Sequence, residues 1–256
     1  MQYKNFIVSL SSYRCDKNCP YCIAKMNKLS VVEENLDSLI INLEELKKEN
    51  HTFKSCVISG NGEPSLYEFE FLKKLKRIME EDMFKMKRIQ SSGNLFLNDS
   101  KFELFKDWII EVTRVSHDFK TDSKILKYKH DYMSTDNFKK ANIRMNMVLL
   151  KNCEETLVKD INDYFKNSNI QTIALKMLDK YADTKQDAWI ENNGFSYKEI
   201  DKIITILNNN FNYIGQEFQN KFWEVNDKKI SLYCNDNYNN DKTYENFMWY
   251  GDKQLI

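Results

Sequence analysis

The segment RCDKNCPYC, residues 14–22, places Cys15, Cys19 and Cys22 in a C-x3-C-x2-C arrangement directly after a short apolar run. Three thiolates on one short loop can converge on a metal centre, because sulfur suits iron-sulfur clusters and zinc. A structural zinc site is normally closed by four ligands, and the histidines of the chain lack finger-like spacing to this loop. A zinc site completed by a distant residue and three unliganded thiols are the alternatives. The loop favours an iron-sulfur cluster with one open iron.

Around this loop, short β-branched apolar runs alternate with longer runs of helical periodicity, which is typical of βα units and a parallel sheet. The pattern predicts strands at Asn5–Leu10, Ser55–Ser59, Met86–Gln90, Glu111–Ser116, Ile143–Leu149 and Gln171–Lys176. It predicts helices at Val32–Lys48, Leu66–Glu81, Asp99–Trp108, Glu154–Asn167 and Tyr197–Asn209. Right-handed crossovers wind such strands in one direction. We therefore expect an α/β fold, a partial (β/α)6 TIM-type barrel.

The tail from Lys229 departs from this rhythm. Its segments KISLYCND and ENFMWYGDKQLI predict short strands, and the second is predicted to bend at Gly251-Asp252 into a β-hairpin that closes one end of the barrel. With two prolines, six glycines and no low-complexity linker, a single domain over residues 1–256 is expected. Its core is expected at about residues 3–180, and its helical and hairpin extension at about residues 181–256.

The composition limits the classes of partner and the cellular location that we expect. Lys+Arg and Asp+Glu number 38 each, so no overall positive field draws nucleic acid or anionic lipid to the surface. The first apolar run is too short for a signal peptide, and no stretch of about 18 apolar residues occurs. We expect a cytoplasmic protein with no membrane association and no strong nucleic-acid signal.

A second motif, VISGNGEPSL, follows the second predicted strand. Gly60 and Gly62 allow the backbone to approach a ligand closely, Pro64 stiffens the exit, and Glu63 can accept hydrogen bonds from an ammonium group. A Gly-x-Gly pair alone more often marks an ordinary turn. Here it stands at the strand end next to the cysteine loop, and reacting groups of parallel barrels gather at such ends.

Together, CDKNCPYC and GNGEP resemble the radical S-adenosylmethionine (SAM) superfamily, with a core similar to its molybdenum-cofactor cyclase-like branch. The resemblance implies that Cys15, Cys19 and Cys22 hold one 4Fe-4S cluster and are the catalytic residues. It also implies that the open iron chelates SAM and that the reduced cluster cleaves it to a 5'-deoxyadenosyl radical, which abstracts hydrogen from a substrate. The other cysteines lack the tight spacing of a second cluster.

The resemblance implies further SAM contacts beyond Gly60, Gly62, Glu63 and Pro64. These are Tyr21 near the adenine, Ser92 at the position of a more usual asparagine, Ser116 near the ribose or carboxylate, Asn146 at the fifth strand end, and Lys176 as a partner of the SAM carboxylate. A lysine on an apolar strand needs such a partner if it is buried. An electron donor such as flavodoxin or ferredoxin is the expected protein partner.

The sequence leaves several hypotheses open for the substrate and the activity. We expect a small molecule, such as a nucleoside or a sugar, because the sequence has no evident peptide-recognition or RNA-binding appendage. A modifier of a ribosomally made peptide is the second hypothesis, and an iron-sulfur redox-sensing or metal-binding module is the non-enzyme hypothesis. Cys56, Cys153 and Cys234 are scattered and are expected to be small buried hydrophobes; Cys234 is also considered as a hydrogen-atom donor.

Overall fold

A computed structural model describes residues 2–12, 14–27, 31–180, 183–217, 220–234, 246–251 and 253–255. The strands are β1 (Gln2–Leu10), β2 (Thr52–Gly60), β3 (Phe84–Ser91), β4 (Ile109–Arg114), β5 (Asn142–Val148), β6 (Ile170–Lys176), β7 (Asn212–Glu217), β8 (Asn220–Val225), β9 (Lys228–Tyr233), β10 (Phe247–Tyr250) and β11 (Lys253–Leu255). The helices are α1 (Ile23–Asn27), α2 (Leu36–Lys48), α3 (Phe69–Ile78), α4 (Asp99–Phe105), α5 (Phe119–Leu126), α6 (Asp136–Lys140), α7 (Leu157–Phe165), α8 (Lys185–Asn193) and α9 (Ile200–Asn210). In these ranges, no helix combines the length and the apolar character needed to cross a membrane.

The chain divides into two compact units. The first contains residues 1–16, 28–111 and 240–256, and the second contains residues 17–27 and 112–239. The chain passes from one unit to the other inside the cysteine loop and again inside β4. Each unit is therefore built from segments that are far apart in the sequence.

The first unit contains a sheet with the strand order β11-β10-β1-β2-β3. Its strands β10, β1, β2 and β3 are parallel, and β11 is antiparallel to β10. Val8 is paired with Ile58 on one side and with Trp249 on the other. Because parallel strands end at the same edge of a sheet, the cysteine loop after β1 and the GNGEP loop after β2 begin side by side.

The core of the first unit is formed by aromatic side chains and by one face of α2. Phe6, Phe53 and Phe84 contact one another with ring centroids 5.5–5.6 Å apart. Helix α2 begins after Asn35, whose side chain accepts hydrogen bonds from the next turn, and it buries four leucines: Leu36, Leu39, Leu43 and Leu46. Each buried leucine stabilises the unit by about 1.5–3 kcal/mol.

The second unit contains a mixed sheet with the order β5-β6-β9-β8-β7. Strands β5, β6 and β9 are parallel, whereas β8 is antiparallel to both β9 and β7. The turn between β8 and β9 is formed by Asn226 and Asp227, which both have positive φ angles, as a tight hairpin requires. Trp223 of β8 is buried and donates its indole N–H to Asn208 of α9 over 2.8 Å.

All six predicted strands are confirmed, with ends that differ by a few residues. The terminal hairpin is also confirmed as β10 and β11, although Asp252 lies outside the described residues. Helix α2 begins at Leu36 rather than at Val32, because Asn35 caps it. The hairpin β7–β8 was not predicted, since three neighbouring residues of β7 are exposed and give no apolar alternation. The strand predicted in KISLYCND is confirmed as β9 (Lys228–Tyr233), the parallel neighbour of β6, although residues 235 and 236 lie outside the described residues.

We predict that Trp249→Ala destabilises the first unit. The indole is buried and donates a hydrogen bond to Ser38 of α2 over 3.2 Å, so its removal leaves a cavity between β10 and α2. Such truncations cost about 3–5 kcal/mol, which urea unfolding followed by circular dichroism measures. Leu97→Ala is the control, because Leu97 is 47% exposed; equal midpoints for the two variants would contradict this packing.

Candidate active site

The cysteine loop leaves β1 and ends in α1. Cys15 is exposed, whereas Cys19 and Cys22 are half-buried, and within the described residues none of them forms a disulfide. The N–H of Cys22 donates to the carbonyl of Cys19 over 3.3 Å, and the N–H of Lys25 donates to the carbonyl of Cys22 over 3.0 Å. The division between the units falls after Asp16, so Cys15 belongs to the first unit and the other two cysteines belong to the second.

The GNGEP loop lies directly against the backbone that leads into Cys15. A Cβ atom at Gly60 would stand 2.3 Å from the carbonyl oxygen of Leu10, and one at Gly62 would stand 2.3 Å from that of Arg14. The N–H of Glu63 donates to the Arg14 carbonyl over 2.8 Å. Only glycine permits this approach. Both glycines therefore hold the cysteine loop, in addition to any contact they make with a ligand.

The carboxylate of Glu63 is buried and already bonded within the first unit. Glu63 is 2% exposed, and its carboxylate accepts hydrogen bonds from the N–H of Ser65 at 3.1 Å, the hydroxyl of Ser91 at 2.9 Å and the N–H of Ser92. Pro64 begins the short 3-10 turn that presents the Ser65 N–H. An ionised carboxylate accepts about four hydrogen bonds. One position thus remains for a ligand such as an ammonium group.

Two serines at the end of β3 have different roles. Ser91 donates to Glu63 and accepts the N–H of Gly93 over 3.0 Å, in a turn where Gly93 has a φ of 101°. The hydroxyl of Ser92 is buried and has no hydrogen-bond partner among the described residues. A role for Ser92 was predicted from the sequence and one for Ser91 was not, although Gly93, two residues after Ser91, indicates a turn there. A buried hydroxyl normally has a partner, so that of Ser92 fits a polar ligand beside Glu63.

In the second unit, Tyr21 lies between Cys19 and Cys22, just before α1, and its ring packs on Trp189 of α8. Their ring centroids are 5.6 Å apart at an interplanar angle of 40°. Among the described residues the Tyr21 hydroxyl has no hydrogen-bond partner. Burial raises the pKa of Tyr21 well above its usual value, and negative charge at Cys19 and Asp122 raises it further. Tyr21 therefore stays neutral at physiological pH.

A buried ion pair stands close to Tyr21. Arg114 at the end of β4 and Asp122 of α5 are both 0% exposed, and the Nε of Arg114 is 2.7 Å from the Oδ2 of Asp122. The guanidinium also lies 5.3 Å from the ring centroid of Tyr132, a cation–π distance. Burial raises the pKa of Asp122 to about 6, and the Arg114 charge opposes this rise. The pair was not predicted from the sequence, because a single Asp in a helix is normally solvated.

The other SAM contacts expected in the second unit lie at different depths. Ser116 follows β4 by two residues, and its hydroxyl accepts the N–H of Asp118 over 3.2 Å. Asn146 lies inside β5 rather than at its end; it is buried, and among the described residues its Oδ1 has no hydrogen-bond partner. Lys176 is the last residue of β6 and is exposed. Burial therefore does not require a charge partner for Lys176.

The remaining cysteines have the character expected of small buried hydrophobes. Cys56 and Cys234 are buried, and Cys153 is half-buried. Burial raises the pKa of Cys56 and that of Cys153 to about 12, so both thiols are unreactive near neutral pH. Cys234 follows β9, and its sulfur lies 3.8 Å from the Leu232 carbonyl oxygen.

Over the described ranges, no group of three or more His, Cys, Asp or Glu side chains is arranged to hold a metal ion. The donor chemistry of the loop does fit an iron-sulfur cluster, because three cysteines at C-x3-C-x2-C spacing supply the thiolates that such clusters need. The buried Ser92 hydroxyl beside Glu63 fits the polar end of SAM. By the chemistry of their donors, the residues fit both groups.

The fold and the loops define an α/β protein whose parallel sheet carries a cysteine loop and a glycine loop at adjacent strand ends. The family model described as the Radical SAM superfamily matches residues 9–164, more than half of the chain. The chain belongs to the radical SAM superfamily of enzymes. No curated protein matches it in sequence.

Three solved structures have a similar fold. SuiB of Streptococcus suis is 15% identical, with a TM-score of 0.56 over 81% of this chain and 46% of SuiB. anSMEcpe with bound AdoMet is 18% identical, with a TM-score of 0.52 over 82% and 62%. A radical SAM methyltransferase from Sphaerobacter thermophilus is 14% identical, with a TM-score of 0.51 over 80% and 63%. These likenesses show the fold, and the chain spans about half to two thirds of the length of these proteins.

We predict that Gly62→Ala weakens cluster binding. The added Cβ would displace the Arg14 carbonyl and with it the neighbouring Cys15. Changes to groups that position metal ligands cost about tenfold or more in affinity. Iron and sulfide analysis after anaerobic reconstitution measures the loss. Gly215→Ala in β7 is the control, since no atom lies within 4 Å of its added Cβ; wild-type iron content in Gly62→Ala would contradict the proposed clamp.

We predict that Asp122→Asn destabilises the second unit by about 3 kcal/mol or more, because it leaves the Arg114 charge buried without its main counter-charge. The midpoint of urea unfolding, followed by circular dichroism at neutral pH, measures the effect. Asp136→Asn is the matched control, because this aspartate is exposed and its ion pair in α6 is with the exposed Lys139. An unchanged midpoint for Asp122→Asn would show that Arg114 does not depend on this partner.

Proposed function

We propose that the chain cleaves SAM reductively at a 4Fe-4S cluster held by Cys15, Cys19 and Cys22, and that the resulting 5'-deoxyadenosyl radical abstracts hydrogen from a small molecule such as a nucleoside or a sugar. The observation that carries the proposal is the contact between the GNGEP loop and the cysteine loop. This contact joins the two motifs of the superfamily at adjacent strand ends. When bound, the cluster supplies the electron that breaks a carbon–sulfur bond of SAM.

The residues of the first unit would bind the amino acid end of SAM. The open acceptor position of Glu63 takes an ammonium hydrogen, and the Ser92 hydroxyl supplies a second polar contact. Glu63 has a fixed orientation, since Ser91 and the backbone hold both of its oxygens. A carboxylate held in this way binds a cation without first losing side-chain freedom.

The residues of the second unit would contribute the remaining contacts. Tyr21 packs on Trp189 and is proposed to lie beside the adenine. Ser116, Asn146 and Lys176 are proposed to contact the ribose and the carboxylate. The buried Oδ1 of Asn146 supports its place in this group, because it has no partner among the described residues. A flavodoxin or ferredoxin is proposed as the electron donor.

The test is an anaerobic assay of 5'-deoxyadenosine with reconstituted protein, dithionite and SAM. We expect product from the wild type and a loss of at least about a hundredfold in Cys19→Ala, which removes a thiolate ligand. Cys153→Ala is the matched control, because this half-buried cysteine lies outside the loop. Its product yield should equal that of the wild type.

Two outcomes would contradict the proposal. One is equal product from the wild type and Cys19→Ala, which would separate the reaction from the loop. The other is no product from wild-type protein that carries a reducible cluster, which would support the redox-sensing hypothesis instead. Iron content and the absorbance of the cluster are measured on the same samples, so failed reconstitution is recognised.

A further inference from the structure

The second unit contains a cleft of about 900 Å³, a volume typical of small-molecule sites. Cys19 and Pro20 form part of its wall, and so does Trp189, which packs on Tyr21. The cleft is thus lined by the same loop that carries two of the proposed cluster ligands. A ligand bound in this cleft would therefore lie beside that loop.

The cleft is lined by four lysine side chains: Lys25, Lys124, Lys127 and Lys151. None of its described lining residues is Asp or Glu. The whole chain has equal numbers of basic and acidic residues, so this local excess differs from the average surface. Clefts lined by one sign of charge concentrate ligands of the opposite sign.

Two of these lysines lie at the carboxyl end of α5 and are exposed. Lys124 is on α5, and Lys127 ends this helix in a left-handed conformation, with a φ of 62° and its N–H bonded to the Ser123 carbonyl over 2.8 Å. Among the described residues, neither ammonium group forms a hydrogen bond or an ion pair. Both side chains line the same cleft and carry the same charge. An anion bound in the cleft would reduce the repulsion between them.

The other two lysines are engaged by neutral groups. Lys25 donates to the side chain of Asn18, and Lys151 donates to the carbonyl of Glu191 over 3.0 Å. Neutral acceptors orient an ammonium group and leave its full positive charge. Side-chain amides, including Asn152 and Asn192, complete the wall and offer hydrogen bonds to a polar ligand.

We infer that this cleft binds a small-molecule substrate that carries a phosphate or diphosphate group, with Lys124 and Lys127 as its main anion contacts. The statement that the bound molecule is a substrate rests on the proposed function. The statement that the cleft binds a phosphorylated molecule does not depend on that function. It narrows the substrate class from nucleosides or sugars to their phosphorylated forms.

The test is calorimetric titration of the reconstituted protein with inorganic pyrophosphate, with and without saturating SAM. We expect one site in the wild type and binding weaker by about tenfold or more in the double variant Lys124→Gln/Lys127→Gln, because charge-assisted hydrogen bonds are lost. Lys139→Gln is the matched control, since its side chain is 61% exposed and pairs with Asp136 outside the cleft. Circular dichroism verifies that all variants are folded.

A second readout locates the anion. We expect pyrophosphate to protect Lys124 and Lys127, but not Lys139, from acetylation measured by mass spectrometry. Equal affinity in the wild type and the double variant, or no pyrophosphate binding at all, would overturn the inference. Competition by SAM would overturn it too, because the cleft would then be a SAM site. Tighter binding of a hexaglutamate peptide than of pyrophosphate would also overturn the inference, because the ligand of the cleft would then be an acidic peptide. If deoxyadenosine formation fails while these binding results hold, only the proposed function is lost.

Discussion

The backbone of the GNGEP loop lies against the backbone that precedes Cys15, with no side chain between them. Gly60 and Gly62 make this approach possible, and the N–H groups of Asn61 and Glu63 bond to the carbonyls of Leu10 and Arg14. The Glu63 carboxylate continues the connection to the end of β3 through Ser91. The ends of three parallel strands are thereby joined by one series of contacts. The position of Cys15 depends on the sheet itself rather than on the conformation of an isolated loop.

The first six strands and the positions of the two loops at successive strand ends were predictable from the sequence, because apolar runs and glycines are local signals. The places of β9 and β10 in the sheet, and the backbone contact between the loops, were not predicted. Which side chain would satisfy Glu63 was not predictable. Ser91 and Ser92 are adjacent and chemically identical, and the choice between them depends on the side of β3 that faces Glu63. The depth of Asn146 was missed because it depends on packing between distant segments, whereas the hairpin β7–β8 was missed because the exposed β7 gives no apolar alternation.

Helix α5 presents one charged side chain to the interior of the second unit and others to the cleft. Its Asp122 points inward to the buried Arg114, whereas its Lys124 and the terminal Lys127 line the cleft. A buried ion pair adds little net stability, but it is specific in geometry. The pair therefore fixes the helix that presents the lysines. The sequence FKTDSKIL contains both roles and resembles an ordinary solvated helix, because a buried aspartate can be recognised only when its partner is known.

The parallel pairing of β10 with β1 joins residues separated by about 240 positions. Loops of that length close slowly, because chain entropy is lost before the contact forms. During synthesis on the ribosome, β1 emerges about 240 residues before its neighbour Trp249. The edge of β1 that pairs with β10 therefore stays unpaired while the residues of the second unit are made in between.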